Sequence, residues 1–97
     1  MIQIIVEKYV KKEKQIEFFN IVKKLVDKSR NEYGNISYNL CIHPDDEEKI
    51  LFVEQWKSRK YVKNIHCNTE HVLQIVPTLE KFYFKPGTEV WLDVIDI

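Results

Sequence analysis

The hydrophobic period of this chain switches repeatedly between two residues and three-to-four, and that alternation limits the fold more than any single motif. Residues 2–10 alternate, with Ile2, Ile4 and Val6 on one face and Ile5 and Tyr9 on the other, as a strand requires. From Glu13 to Glu32, Ile16, Phe19, Val22, Leu25, Val26 and Ser29 fall at helical spacing with a Lys-rich side left for water. Gly34 follows, suited to a left-handed residue just past the helix end. Residues 36–42 and 49–57 return to the β pattern, joined by His43-Pro44-Asp45-Asp46-Glu47-Glu48 as a hairpin connection with solvated acids. Ser58 is placed to cap a short helix over Arg59–His66, and Asn68 or Thr69 to cap a second piece in which Val72, Ile75, Val76, Leu79 and Phe82 recur at helical spacing. Pro77 should kink that piece or end it. Pro86 and Gly87 turn the chain into a last strand over residues 88–97. The order βαββαβ predicts an α+β, ferredoxin-like domain: a four-stranded antiparallel sheet with both helical segments on one face.

A length of 97 residues allows one domain, residues 1–97, and no separate cofactor domain. Fifteen basic residues balance fifteen acidic ones, so no net field draws the chain to nucleic acid or to anionic lipid. No apolar run is long enough to cross a membrane, and Met1–Glu7 has no basic leader, so a cytoplasmic location is expected. Cys41 and Cys67 are too far apart in sequence to form a close-spaced pair and are expected to be reduced, partly buried thiols.

The strands also predict assembly. A sheet with one wet face should alternate cleanly, but Ile4–Val6, Leu51–Val53 and Val90–Leu92 are each continuously apolar. Both helical segments already cover one face. The other face is expected to be covered by a second copy, giving a homodimer packed sheet against sheet.

The chemistry-bearing stretch runs from Leu51 to His71. Glu54 shares a strand face with Phe52 and Trp56, and a carboxyl in such apolar company needs a partner or a function. His66 and His71 follow on the helical side; imidazole, with an ordinary pKa of about 6.5, can take and return a proton near neutral pH. Each has a plainer role as well: Trp56 as core, Glu54 in an ion pair, the histidines as packing residues. Five residues apart across a helix break, the histidines lack the i, i+4 spacing of helical metal ligands, and no metal site is expected.

These residues carry a family resemblance. Tyr33-Gly34-Asn35, Ser37-Tyr38-Asn39-Leu40, the run Phe52-Val53-Glu54-Gln55-Trp56-Lys57-Ser58, and His66-Cys67-Asn68-Thr69-Glu70-His71 together resemble the antibiotic biosynthesis monooxygenase family. The resemblance implies a dimeric α+β barrel and an enzyme that oxidises quinols or polyketide-type aromatics with molecular oxygen, without metal or flavin. It implies His66, His71 and Glu54 as catalytic candidates, and Tyr38, Phe52 and Trp56 as the lining around a small aromatic substrate. The family also holds haem-degrading enzymes and an isomerase of phosphorylated signal molecules. The haem-degrading pattern is not matched: Glu7, His66 and Val76 stand where its asparagine, tryptophan and histidine would fall. An isomerase on the same scaffold and a non-catalytic dimeric binding module stay as alternatives.

Overall fold

A computed structural model describes residues 1–97 and shows four strands and three α-helices: β1 (Ile2–Tyr9), α1 (Gln15–Arg30), β2 (Asn35–His43), β3 (Asp46–Trp56), α2 (Arg59–Asn64), α3 (Glu70–Leu79) and β4 (Thr88–Asp93). Short 3₁₀ turns at Lys12–Lys14, His66–Asn68 and Glu80–Phe82 join or extend the helices. The sheet is antiparallel in the order β2-β3-β1-β4, the ferredoxin-like arrangement expected from the element order. No helix is long and apolar enough to cross a membrane.

The core lies between the sheet and the helices. Ile2 and Ile4 of β1, Tyr38 of β2, and Ile50, Phe52 and Trp56 of β3 point inward at period two and meet Phe18, Val22, Leu25 and Val26 of α1. Phe18 is the pivot: fully buried, it packs edge-on against Phe52 and Phe82. The buried stripe of α1 therefore runs through Phe18 rather than Ile16, which is 80% exposed. Of the apolar residues expected on that stripe, Ile16 faces solvent, while Phe19 packs partly buried against the core edge.

Several other local expectations change. Gly34 does not have positive φ; its missing side chain serves packing, since a Cβ there would fall 2.5 Å from the Tyr61 ring. The hairpin turn is only Pro44-Asp45, with His43 already paired to Asp46. α2 stops at Asn64, and the Asn68 side-chain amide donates to the Asn64 carbonyl. Ser58 and Thr69 are the N-caps of α2 and α3, accepting from the Tyr61 and Val72 amides. Pro77 lies inside α3, in its last turn, and the helix persists to Leu79 before tightening to 3₁₀. β4 ends at Asp93 because its partner β1 begins at Ile2, which pairs with Asp93; only the Val94 amide, bonded to the Met1 carbonyl, continues the contact. Both cysteines are exposed rather than partly buried.

Candidate active site

Alternation along the strands builds the floor of a cavity. Tyr38, Glu54, Ile4 and Trp91 form one cross-strand row, and Leu40, Phe52, Val6 and Glu89 the next, all facing the helices. Leu25, Val62, Val72 and Leu79 form the apolar roof, with His66 at one side. The cavity is half-open, with a volume of about 280 Å³.

His66 is held in place by a residue that the sequence did not single out. Glu32, just past the end of α1, directs Oε2 at His66 Nδ1 (2.6 Å) and at His71 Nε2 (2.8 Å), while its Oε1 accepts from the Tyr61 hydroxyl at 3.3 Å. A carboxylate oxygen can only accept, so each ring presents an N–H to it, which fixes both tautomers. His66 then carries its lone pair on Nε2, a nitrogen with no protein partner. Burial lowers the His66 pKa, opposed in part by Glu32, so the neutral ring that can accept a proton is favoured.

Trp56 connects this imidazole to the second candidate acid–base group. Its ring lies 4.1 Å, centroid to centroid, from His66, and its Nε1–H donates to Glu54 Oε1 at 2.9 Å. Glu54 borders the cavity, and its Oε2 has no protein hydrogen-bond partner. Burial raises the Glu54 pKa to about 7, only partly offset by the Trp56 hydrogen bond. Tyr38 is pushed well above the usual phenol range, first by burial and then by the Glu54 charge, and stays a hydroxyl donor.

Of the six residues expected at the site, Glu54, His66, Tyr38 and Phe52 border the cavity. Trp56 and His71 stand behind its wall. Trp56 is fully buried and touches His66 and Glu54, and His71 reaches the site only through the shared Glu32 oxygen. The one signal for Glu32 is its position: an acid beside the carbonyl end of a helix opposes the helix dipole and calls for a compensating partner.

Glu32, His66 and His71 also bring three metal-capable atoms within 4.8 Å of one another. Their spacing suits shared protons. Contacts of 2.6 and 2.8 Å from one oxygen are charge-assisted hydrogen-bond lengths. An ion bonded to each atom at about 2.0–2.2 Å would hold the donors roughly 3 Å apart or more, so the carboxylate would have to withdraw from both rings.

The fold that carries this cavity, with its carboxylate-held histidine and buried carboxylic acid, is of the ferredoxin-like α+β class. The model of the antibiotic biosynthesis monooxygenase family matches residues 1–78, and the chain belongs to that family. A Bacillus subtilis (strain 168) protein named "Putative monooxygenase YcnE" is 37% identical over 62 residues, which are 64% of this chain and 64% of that protein. The match thus spans less than two thirds of that relative. A crystal structure of an antibiotic biosynthesis monooxygenase superposes with a TM-score of 0.88 at 29% identity, covering 99% of this chain and 100% of the other. A conserved protein from Methanosarcina mazei Go1 superposes with a TM-score of 0.87 at 27% identity, covering 93% and 88%.

Proposed function

We propose that this chain is a monooxygenase that oxidises a small hydroquinone-like or polyketide-like aromatic with molecular oxygen and uses neither metal nor flavin. The observation that carries the reading is His66: a buried imidazole on the cavity wall, its Nδ1–H committed to Glu32 and its Nε2 left without a protein partner. This is the geometry of a general base. A phenol bound against Tyr38 and Phe52 would lose its hydroxyl proton to Nε2, leaving an electron-rich phenolate. The phenolate passes an electron to oxygen, and a ring carbon joins the reduced oxygen to form a C–O bond. A proton from the Glu54 carboxyl or from His66 completes the hydroperoxide. Loss of the proton on that carbon and cleavage of the O–O bond then release water and leave a quinone carbonyl, so phenol and oxygen become quinone and water.

Cavity size is consistent with such a ligand, since a cavity of about 150 Å³ holds benzene and this one, at about 280 Å³, has room for one or two rings. The apolar walls would keep bulk water from the intermediate. The helix-free face of the sheet supports the homodimer: Ile5, Leu51 and Val53 lie on it with Val90 and Leu92, each of the last two 44% exposed.

The test is oxygen uptake on a phenol with a free para position, such as alpha-naphthol, followed with an electrode and by isotopic oxygen in the quinone. The expected result is uptake with one labelled atom per quinone, lost in His66→Ala. Turnover of a ligand without oxygen uptake would favour an isomerase, for which the same His66 and Glu54 could relay a proton. Ligand binding with no turnover would favour a binding module.

A further inference from the structure

The proposed reaction separates charge inside a buried site. When His66 takes the phenol proton, an imidazolium and a phenolate form away from bulk water, and each needs a partner of its own. Glu32 supplies one for the imidazolium through its 2.6 Å contact with Nδ1. No charged side chain does the same for the phenolate oxygen: Lys8, the one lysine bordering the cavity, lies over the Tyr83 ring, 4.8 Å from its centroid, and the exposed Glu80 and Glu89 have the wrong sign. Two neutral hydroxyl donors are placed for it instead. Tyr38 and Glu54 are directly opposed on β2 and β3 and both face the helices, so their side chains leave the sheet as neighbours, with Cβ atoms roughly 5 Å apart. Tyr38 is 3% exposed, Glu54 6% and His66 7%, and the Tyr38 and His66 ring centroids are 6.4 Å apart. In each of these residues one polar atom has no protein hydrogen-bond partner: the Tyr38 hydroxyl, Glu54 Oε2 and His66 Nε2. None of them is sealed off, since Ser29 Oγ is the one buried polar side-chain atom both closed to solvent and unpartnered. The open space that all three residues border is the cavity.

We propose that the Tyr38 hydroxyl and the Glu54 carboxyl form an oxyanion site that holds the phenolate oxygen of the bound substrate, which makes Tyr38 a catalytic residue and the cavity selective for ligands that ionise at a ring oxygen. The inference rests on the cavity being the place where a phenol gives up its proton. Neither donor loses its own proton; the phenol proton stays on His66 Nε2. With Glu54 committed to the phenolate oxygen, the proton that completes the hydroperoxide comes from His66. The acid forms are the ones the surroundings favour. Burial, then the Glu54 charge, holds Tyr38 as a phenol, and burial keeps Glu54 a carboxylic acid up to about 7, with Glu89 and Glu32 acting in the same sense and the Trp56 hydrogen bond against it. A carboxylic acid kept neutral by apolar surroundings can donate to an oxyanion as a hydroxyl does.

The probe is 4-nitrophenol, whose phenolate is yellow and whose blocked para position keeps it from turnover to a para-quinone. At pH 6, where the free probe is mostly the colourless phenol, the intact wild-type protein should turn it yellow on binding. The ionisation midpoint of the bound probe should lie about one unit or more below that of the free probe, a tenfold or greater preference for the ionised form. Tyr38→Phe keeps the ring against Phe52 and Trp56 and removes only a hydroxyl without a protein partner. Its fold and its binding of the probe should be retained while the midpoint moves back toward the free value, and its kcat on alpha-naphthol should fall about 10²-fold, as for loss of one oxyanion donor. Glu54→Gln keeps a neutral donor that no longer titrates, so its affinity for the ionised probe should fall less steeply between pH 6.5 and pH 8 than that of the wild type. A bound probe that stays colourless, no binding at pH 6, an equal midpoint shift in Tyr38→Phe, or an equal pH slope in Glu54→Gln would each overturn the proposal. Failure of the oxygenase reading is separate. A yellow bound probe that depends on Tyr38, without oxygen uptake on any phenol, leaves the oxyanion site standing and removes the reaction; uptake on alpha-naphthol that Tyr38→Phe leaves intact, with a colourless bound probe, does the reverse.

Discussion

Glu32 Oε2 lies 2.6 Å from His66 Nδ1, although the two residues are separated by 34 positions and neither Glu32 nor its turn borders the cavity. Glu32 is a positioning residue. Glu32→Gln keeps the size of the side chain but cannot accept from both imidazoles and Tyr61 in the same way, so His66 is free to adopt the other tautomer and turn its N–H toward the ligand. The expected outcome is a fall in kcat of roughly 10²-fold or more with a smaller change in KM, as for loss of a correctly presented general base. Steady-state kinetics over pH 6–9 would check it; a KM change with kcat intact would reduce Glu32 to a purely structural role.

Glu54 gives the stability curve a slope. Its carboxyl titrates near 4.5 when unfolded and near 7 when folded. Between these values the native state holds a proton that the unfolded state has released, so the Glu54 contribution is complete below pH 4.5 and is lost as pH rises through 7. By proton linkage the loss is of order 1–3 kcal/mol. Glu54→Gln retains an acceptor for Trp56 and removes the titration, so between pH 5 and pH 8 the wild type should lose that much stability relative to the variant. His66, whose pKa burial lowers, acts with the opposite sign, costing stability as pH falls below its ordinary value of 6.5. That effect is common to both proteins and cancels in the comparison. Urea midpoints at the two pH values decide it, and parallel pH dependence in the two proteins would refute the buried acid.

Gly34 carries a steric prediction. Tyr61 stacks on Trp56 with centroids 5.9 Å apart, and a Cβ at Gly34 would meet the Tyr61 ring at 2.5 Å. The contact is at the root of the ring, which cannot give way without moving off Trp56. Gly34→Ala should therefore cost about 1–3 kcal/mol, in the range of overpacked cores, and shift the Trp56 fluorescence. An unchanged urea midpoint and spectrum would show that Tyr61 relaxes freely.

The parts of this molecule legible from sequence are those written in local period and local chemistry. Ile2, Ile4, Phe52 and Trp56 declared their face by alternation, and Ser58 and Thr69 declared helix starts by side-chain capping. Phe18 and Ile16 show where period fails: two apolar residues two apart lie far around a helix from each other, and only the sheet decides which is inward. Glu32 shows a different failure. Its partners are 34 and 39 residues away, and hydrogen bonding across such distances leaves no trace in spacing. The same holds for Trp56, whose aromatic character announced a role but whose place behind the cavity wall depends on how His66 and Tyr61 close over it.

The helix-free face supplies the last prediction. Val53 sits at its centre, paired with Ile5 on one side and Asn39 on the other, and Ile5 in turn pairs with Val90. These side chains are only half-covered or exposed in the single chain. A second copy laid on this face would remove them from water, at roughly 1.5–3 kcal/mol for each large side chain fully buried. Val53→Glu places a charge in the middle of that contact, where it would be desolvated without a partner, while in a single chain the same glutamate would face solvent at little cost. Sedimentation at micromolar concentration should return twice the mass of one chain for the wild type and the mass of one chain for the variant, with the circular dichroism of the fold retained. A wild type that sediments as one chain would leave the apolar face unexplained by self-association, and a variant that stays paired would move the contact elsewhere on the surface.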